Sequence, residues 1–174
     1  MTEGFKDAHT QHGMVLLVSL VLLLLISMIG ISSMQNATLQ EKMAGSIKLR
    51  NQSFQAAEAA LRIGESAVQL PGFSLDRCTT IVACAPPSEA LTVSAPGTSP
   101  VSGVTWIATN GAVYALQNFA ETTDPVNIPP PVKGEPPKSW TLYRITGVGI
   151  QGNSRTVLES VYTPGRRIMW RQIQ

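Results

Sequence analysis

The segment GMVLLVSLVLLLLISMIGISSM, residues 13–34, decides how this chain is built, because no charged side chain interrupts residues 14–34. At the rise of an α-helix, that stretch is roughly 32 Å long, which matches the hydrocarbon core of a bilayer. A soluble domain made from the rest of a 174-residue chain could hardly cover such a helix on every side. We therefore expect residues 14–34 to form a single transmembrane helix.

A cleavable signal peptide is the alternative interpretation of the same run. Its apolar region would be shorter, about 7–15 residues, and a small-residue cleavage site would follow it. Here Gln35-Asn36-Ala37 is a poor version of such a site. The apolar run is therefore expected to stay in the protein as an anchor.

The only two cysteines, Cys78 and Cys84, indicate the compartment of the downstream domain. An even cysteine count in a small, turn-rich domain is typical of a disulfide in an oxidising compartment. Flanking charge is ambiguous, because Lys6 in the leader is offset by nearby carboxylates. The cysteines therefore favour a periplasmic domain with a disulfide, the alternative being two unrelated buried thiols.

Helical character continues beyond the apolar run to about Leu70. No proline occurs before Pro71, and apolar residues recur with a period near 3.6. The recurring positions are Met43, Ile47, Phe54, Ala57, Leu61, Gly64 and Val68. Residues 35–70 are therefore predicted to be the amphipathic half of one long helix, with Gly30 and Gly45 as its weak points.

Residues 71–174 have the composition of a small β domain. Short runs rich in Val, Ile, Thr, Tyr and Trp alternate there with turn residues. These runs are residues 89–95, 103–110, 112–119, 139–150 and 155–162. Gly152-Asn153 lies in a hairpin-type turn between the last two, which should pair antiparallel.

The two parts predict one fold. A sheet of about three to five short strands needs a cover on its apolar face, and the apolar stripe of residues 35–70 supplies it. The expected fold class is α+β: a long N-terminal helix, its first half transmembrane, with a small antiparallel sheet packed on its second half.

Two segments of the β domain have open interpretations. Residues 124–138 are dense in proline and cannot form a central strand, so they are a surface connection or, alternatively, a polyproline docking segment. The tail at 165–174 carries Arg166, Arg167 and Arg171 and is interpreted as a solvated end, a protein contact being the minority alternative. No basic stripe is interleaved with aromatic residues, so nucleic acid is not an expected partner.

Several of these segments together resemble PilX-type minor pilins of the type IV pilus. The strong resemblance lies in residues 13–34, in LQEKMAGS at 39–46 and in FQAAEAALRIGE at 54–65. Residues 142–162 are similar, more weakly, to the closing hairpin of that family, and we match 72–138 to no family.

The resemblance implies a prepilin leader over residues 1–13. A prepilin peptidase would cut between Gly13 and Met14, and the new amine of Met14 would then be methylated. Since glycine has no side chain, its backbone can enter a protease cleft at the bilayer surface. Cutting before the apolar run keeps the anchor.

Val18 stands where most pilins carry a glutamate, five residues after the cleavage glycine. In the family, that carboxylate offsets the charge of a terminal amine on an adjoining subunit, which would be costly if unpaired in an apolar fibre core. A subunit without this carboxylate can be accommodated only at a position where it need not neutralise the terminal amine of an adjoining subunit. The resemblance therefore implies a place in the priming complex at the pilus tip; alternatively, Val18 faces lipid in a protein that never polymerises.

Partners and location follow from the same resemblance. The expected partners are other minor pilins, the major pilin, the prepilin peptidase and the inner-membrane assembly platform, with a tip adhesin as a further candidate. The chain would cross the bacterial inner membrane once and would belong to the extracellular pilus after assembly.

No catalytic, cofactor or metal site is expected. Both histidines, His9 and His12, would leave with the leader, which removes Ser-His and Cys-His chemistry. GVGIQG at residues 147–152 lies between expected strands, with no helix following, and so is no phosphate-binding loop.

The glutamates of the helix are expected to be solvated surface. They are Glu41, Glu58 and Glu65, and Glu58 can form an ordinary i,i+4 pair with Arg62. An enzyme is therefore not predicted.

Two other functions stay open. One is a K-type pseudopilin of type II secretion, which also lacks the pilin glutamate but usually carries a large extra domain that residues 72–138 are too short to form. The other is a single-pass periplasmic binding module, with the 124–138 loop and Trp106, Trp140 and Trp170 as its ligand surface, although tryptophans in small sheets are more often core.

Overall fold

The computed structural model of the chain describes residues 12–124, 126 and 138–174. Its elements are α1 (His12–Val68), α2 (Ile81–Cys84), β1 (Gly97–Thr98), β2 (Thr105–Thr109), β3 (Ala112–Thr122), β4 (Trp140–Gln151), β5 (Ser154–Thr163) and β6 (Arg166–Gln172). A short 3-10 helix, Ser88–Leu91, precedes β1. The chain divides into two compact units between Gly45 and Ser46, so α1 contributes to both.

The end of α1 follows from the residues beyond it. The N–H groups of Gln69 and Leu70 donate to carbonyl oxygens three residues back, at 3.1 and 3.2 Å, which tightens the last turn. Pro71 cannot continue the helix, and Gly72 then takes a φ of 81° that favours glycine. The helix expected to reach about Leu70 therefore ends at Val68.

The sheet is an antiparallel meander in the order β1-β2-β3-β4-β5-β6. The expected hairpin is present: Gln151 pairs with Ser154, and Gly152 has a φ of 55°. The sheet packs on the second half of α1, so the α+β fold class and its architecture are confirmed.

The sheet buries an apolar layer on each of its faces. On one face, Ala57, Leu61 and Val68 of α1 form a cluster with Tyr143, Ile145, Leu158 and Tyr162. On the other face, Trp106, Val113, Val148 and Val157 pack under Ala90 of the 3-10 helix and under the neighbouring Val93. The sequence predicted the first cover and missed the second.

The strand expected at residues 89–95 is wrong. Pro87 precedes this segment in an extended conformation, and the 3-10 helix begins directly after it. The N–H of Thr92 then donates to the Glu89 carbonyl oxygen at 2.9 Å. The apolar residues of this run cover one face of the sheet. The run therefore has the apolar composition of a strand although it does not form one.

The tail at residues 165–174 is largely exposed, as expected, but most of it also forms the strand β6, which was not predicted. Pro164 and Gly165, which has a φ of 90°, turn the chain back along β5. Backbone pairing continues to the end, since the N–H of Ile173 donates to the Val157 carbonyl oxygen at 2.9 Å. Arginines in this strand are bound by buried carboxylates, which explains how a basic segment joins the sheet.

The proline-rich segment 124–138 lies outside the described residues except for Asp124, Val126 and Lys138. Both interpretations of it stay predictions.

Candidate assembly site

The first part of α1 has an exposed apolar surface. Every residue from 13 to 50 is exposed. Among the described residues, one helix is long and apolar enough to cross a membrane, by length and composition, and its best 18-residue window has a mean hydropathy of 3.0. None of that window is buried inside the protein.

The hydroxyl groups within this apolar part are satisfied locally. Ser19 donates to the Leu16 carbonyl oxygen at 2.9 Å, and Ser27 donates to the Leu23 carbonyl oxygen at 2.8 Å. In hydrocarbon an unpaired hydroxyl costs several kcal/mol. These serines are therefore compatible with lipid or with a neighbouring apolar helix.

The expected cleavage site lies in the first turn of α1. Gly13 and Met14 are helical and exposed, and a Cβ built at Gly13 would have no neighbour within 4 Å. The first N–H groups of a helix have no acceptor within it, so this turn is the part that frays most readily. Residues 1–11 of the expected leader lie outside the described residues.

Val18 lies on the same exposed surface, with 55% of its area accessible. The first carboxylate after it along the chain is that of Glu41, more than five helical turns away. No acidic side chain of this segment could therefore neutralise a cation near Val18.

The second part of α1 rests on the sheet through glycines of β4. A Cβ at Gly147 would lie 2.7 Å from the Ala57 carbonyl oxygen, and a Cβ at Gly149 would overlap the Ser53 carbonyl oxygen. Ser53 is fully buried, and its hydroxyl lies 2.8 Å from that of Thr156. The backbone of the helix thus touches the sheet where β4 has no side chains.

The covered stripe is shorter than expected. Ser53, Ala57, Ala60 and Leu61 are fully buried. Met43 and Ile47, predicted to belong to the same stripe, keep 66% and 57% of their area exposed. The part of the stripe before Ser53 is therefore a free apolar surface.

Glu65 corrects a prediction, because it is not solvated surface. The guanidinium of Arg167 in β6 donates to both carboxylate oxygens of Glu65, at 2.7 and 2.8 Å. The hydroxyl of Ser160 donates to the same carboxylate at 2.8 Å. Only 8% of Glu65 is exposed. The one expected pair, Glu58 with Arg62, is present on the outer face of the helix at 2.6 Å.

A second buried carboxylate, Glu159, lies on the opposite face of the sheet. Arg171 of β6 binds it at 2.8 Å, and the Arg144 Nε atom lies 3.3 Å from its other oxygen. The Arg144 guanidinium also stacks over the ring of Phe119, 4.5 Å from the ring centre. Burial lowers the pKa of Arg144, with Arg171 acting in the same direction and Glu159 against it.

The structure joins Cys78 and Cys84 in a disulfide, and the loop between them contains α2. Arg144 donates to the Cys84 carbonyl oxygen at 2.6 Å. Gln117 donates to the Ala83 and Ala85 carbonyl oxygens at 2.7 and 3.0 Å. The disulfide loop is therefore attached to the sheet by buried polar side chains.

The three tryptophans do not form one surface. Trp106 is 2% exposed within the core opposite the helix. Trp170 is 41% exposed and packs edge-to-face on Phe54 of α1, with ring centres 6.2 Å apart. In the part of the chain that the structure describes, no group of His, Cys, Asp or Glu residues could hold a metal ion.

Residues 12–62 match the protein-family model described as PilX N-terminal. The match begins one residue before Gly13, spans the exposed apolar part of α1 and ends within the part that rests on the sheet. The N-terminal region of the chain is therefore similar to that of PilX-type pilins. This match supports a relation to the minor pilins of type IV pili, and the apolar helix fits membrane anchoring. No curated protein and no solved structure matches the chain significantly.

Sequence reasoning missed the residues that fix this pilin helix on its sheet. A signal for the glycines was present, because glycine inside a strand pattern often marks a close backbone approach. The Glu65–Arg167 pair had no such signal, since the two residues are far apart in the sequence and meet only when β6 joins the sheet.

Proposed function

We propose that this chain is a minor pilin that is cleaved between Gly13 and Met14 and takes part in initiating type IV pilus assembly at the pilus tip. The observation that carries the proposal is the PilX N-terminal match over residues 12–62, which includes the exposed apolar part of α1. A helix that is apolar on all sides needs either lipid or other apolar helices around it. A pilin helix is surrounded by lipid before assembly and by other apolar helices in the fibre.

Before assembly, residues 14–34 anchor the chain in the bacterial inner membrane, and the sheet domain lies in the periplasm. The disulfide between Cys78 and Cys84 supports this orientation, because such bonds persist in oxidising compartments. After assembly, the same helix joins the core of the extracellular pilus.

Position at the tip is supported by Val18. A subunit without a carboxylate there cannot neutralise the terminal amine of a neighbour, which would be costly to bury unpaired. Such a subunit fits the end of the fibre, where one neighbour is absent.

The partners in this role are other minor pilins and the major pilin. In the bilayer, close packing at Ser27, Gly30 and Ser33 would favour helix association. The free apolar surface at Met43 and Ile47 extends the contact above the membrane. A tip adhesin is a further partner, and the assembly platform and prepilin peptidase act before the fibre forms.

The role is structural, and we propose no catalytic activity. Glu65 and Glu159 are both paired with arginines of the sheet. Their carboxylates therefore support the fold.

Deletion of the gene tests the assembly role. We expect the number of surface pili, counted by electron microscopy, to fall severely, while the major pilin is still made and processed. A plasmid copy of the intact gene should restore piliation. Normal piliation in the deletion strain would contradict the proposal.

Leader removal is tested separately by intact-mass measurement with and without the prepilin peptidase. The mature protein should lack residues 1–13 and begin at Met14. Gly13→Val should keep the leader, whereas Gly4→Val, a matched change outside the scissile bond, should still be processed. A mature protein that begins at Met1 would rule out incorporation as a pilin.

A K-type pseudopilin of type II secretion is the second candidate, because it shares the missing carboxylate at the position of Val18. The deletion strain distinguishes the two. A secretion fibre predicts that exoprotein secretion is lost while pili remain.

A further inference from the structure

A cleft lies at the outer edge of β3, where the pairing of that edge is interrupted. The ladder of β2 with β3 ends at Ala115, and the isolated bridge between Asn118 and Arg77 lies further along the same edge. The cleft has a volume of about 430 Å³ and is lined by residues from both flanks and from β3 itself. Sites for small molecules have volumes of about 300–1,000 Å³, so the cleft is large enough for one.

The walls of the cleft are mostly apolar and are held in place by the core. The apolar side chains come from the connection after α1, from the region of β2 and from β3; they are Phe73, Leu75, Val104, Ile107 and Leu116. Three of them, Phe73, Leu75 and Leu116, also pack against the buried cluster under α1. These walls give the apolar body of a ligand a surface that exists before binding, which lowers the entropic cost of binding.

Asn118 brings an unpaired acceptor to this lining. The residue is 8% exposed, and its Nδ2 atom donates to the Leu75 carbonyl oxygen at 2.9 Å, which fixes the orientation of the side-chain amide. Its Oδ1 atom is buried, and no described residue donates to it. Because a buried amide oxygen without a donor is costly, this position requires a donor that the described part of the chain does not supply.

The other side-chain donors of the lining are already used. Gln117 donates to the two carbonyl oxygens named above, and Ser102 donates to Glu89. Thr105 pairs with a neighbouring threonine hydroxyl at 3.1 Å. By contrast, Asp76 is exposed, lines the cleft and forms no ion pair with a described residue. The unpaired side-chain groups of the lining are therefore acceptors.

We propose that this cleft binds a small organic amine, with its ammonium group directed to Asn118 Oδ1 and the Asp76 carboxylate and its apolar body against Phe73 and Leu116. An ammonium group has three donors and no acceptor, which matches a lining that has unpaired acceptors. A carboxylate or phosphate would bring acceptors only. The proposal does not depend on the pilin role, because every residue that it uses belongs to the sheet domain.

Nuclear magnetic resonance of the full-length protein in detergent tests the site, with phenethylamine as the probe. We expect the side-chain amide signals of Asn118 to shift saturably as the probe is added. The side-chain amide of Asn110, which is exposed at the turn between β2 and β3, should not shift. The absence of a saturable shift at Asn118 would overturn the proposal.

Two analogues with the same aromatic ring test the charge of the ligand. Phenethyl alcohol has a single uncharged donor, and phenylpropionate has a carboxylate in place of the ammonium group. Each should bind at least about 10-fold more weakly than phenethylamine, because the ammonium group makes charge-assisted hydrogen bonds. Equal affinities for the three molecules would mean that the cleft selects only an apolar body, and the amine assignment would be rejected.

A charge-removing substitution tests the rim of the cleft. Asp76→Asn should weaken phenethylamine binding about 5-fold, while the affinity for phenethyl alcohol and the Tm change little. Asp124→Asn is the matched control, because Asp124 is also exposed but does not line the cleft. If Asp76→Asn binds phenethylamine as tightly as the natural sequence does, the carboxylate does not bind the ammonium group and the proposal fails.

Discussion

The two parts of α1 have the same secondary structure and opposite surroundings. In the first part, residues 13–45, every side chain is exposed, and leucine, valine and isoleucine dominate it. In the second part, the buried positions are mostly small, such as Ser53, Ala57, Ala60 and Gly64. One helix is thus built for contact with lipid or other helices, and then for contact with its own sheet.

The difference shows what each environment demands of a helix. A bilayer requires apolar surface in every direction but no particular shape, so large side chains can repeat without pattern. A sheet that approaches the helix backbone requires small residues on one face and glycine opposite them. The four predictions below test this contrast, in order of decreasing effect.

The largest effect is expected for Gly149→Ala. Its methyl group would overlap the Ser53 carbonyl oxygen, so the helix must move off the sheet. We expect a loss of about 4 kcal/mol in the free energy of unfolding of the sheet domain, and a Tm lower by roughly 10 °C or more.

Tryptophan fluorescence of the full-length protein in detergent measures that Tm. Gly45→Ala is the matched control, because nothing lies within 4 Å of its added methyl group. An unchanged Tm in Gly149→Ala would show that the close approach of helix and sheet is not needed.

Leu22→Arg tests the first part of the helix, which should tolerate no charge near its middle. An arginine at the centre of a transmembrane helix raises the apparent free energy of insertion by about 3 kcal/mol. We expect a smaller fraction of the chain to resist extraction by alkaline carbonate. Leu22→Met should behave as the natural sequence, and equal extraction of all three would argue against a membrane environment for residues 14–34.

Leu61→Ala measures the packing of the second part. Leu61 is fully buried against Ile145 and Leu158, so removing its side chain should cost about 3 kcal/mol of unfolding free energy. Ile63→Ala, on the exposed side of the same turn, should cost well under 1 kcal/mol. Similar Tm values for the two variants would mean that the face of the helix with Leu61 contributes no more to stability than the exposed face with Ile63.

The smallest effect concerns pH. Burial raises the pKa of the Tyr162 phenol, with the Glu65 carboxylate acting in the same direction. Because the folded pKa exceeds the unfolded value of about 10, this contribution is complete below pH 10 and is lost as the pH rises through the folded pKa. Tyr162→Phe should therefore reduce the fall in Tm between about pH 9 and 11. If Tm falls equally steeply in the variant, the alkaline loss of stability comes from another group.

The sequence predicted the features that depend on local pattern. The helix, the β2–β5 strands and the turn at Gly152 follow from periodicity and turn chemistry. The PilX-type resemblance of the first segments was confirmed by the family match over residues 12–62.

The errors share one cause, which is contact between residues distant in the sequence. The pairing of β6 was missed because Arg167 and Arg171 find their carboxylate partners on α1 and β5. Glu65 looked solvated for the same reason. The segment at 89–95 has a strand composition, but it packs across the sheet as a cover. The leader cleavage and the role of Val18 stay predictions.

The pairing of β6 makes complete synthesis a condition for a stable domain. Arg167 and Arg171 of this strand bind Glu65 and Glu159, and Arg144 of β4 is the second cation beside Glu159. A polypeptide released before residue 166 would lack the guanidinium that binds Glu65, and Glu159 would keep only Arg144; breaking a buried ion pair costs about 3–5 kcal/mol. A chain shortened before β6 should therefore be less stable and more readily degraded than the intact domain.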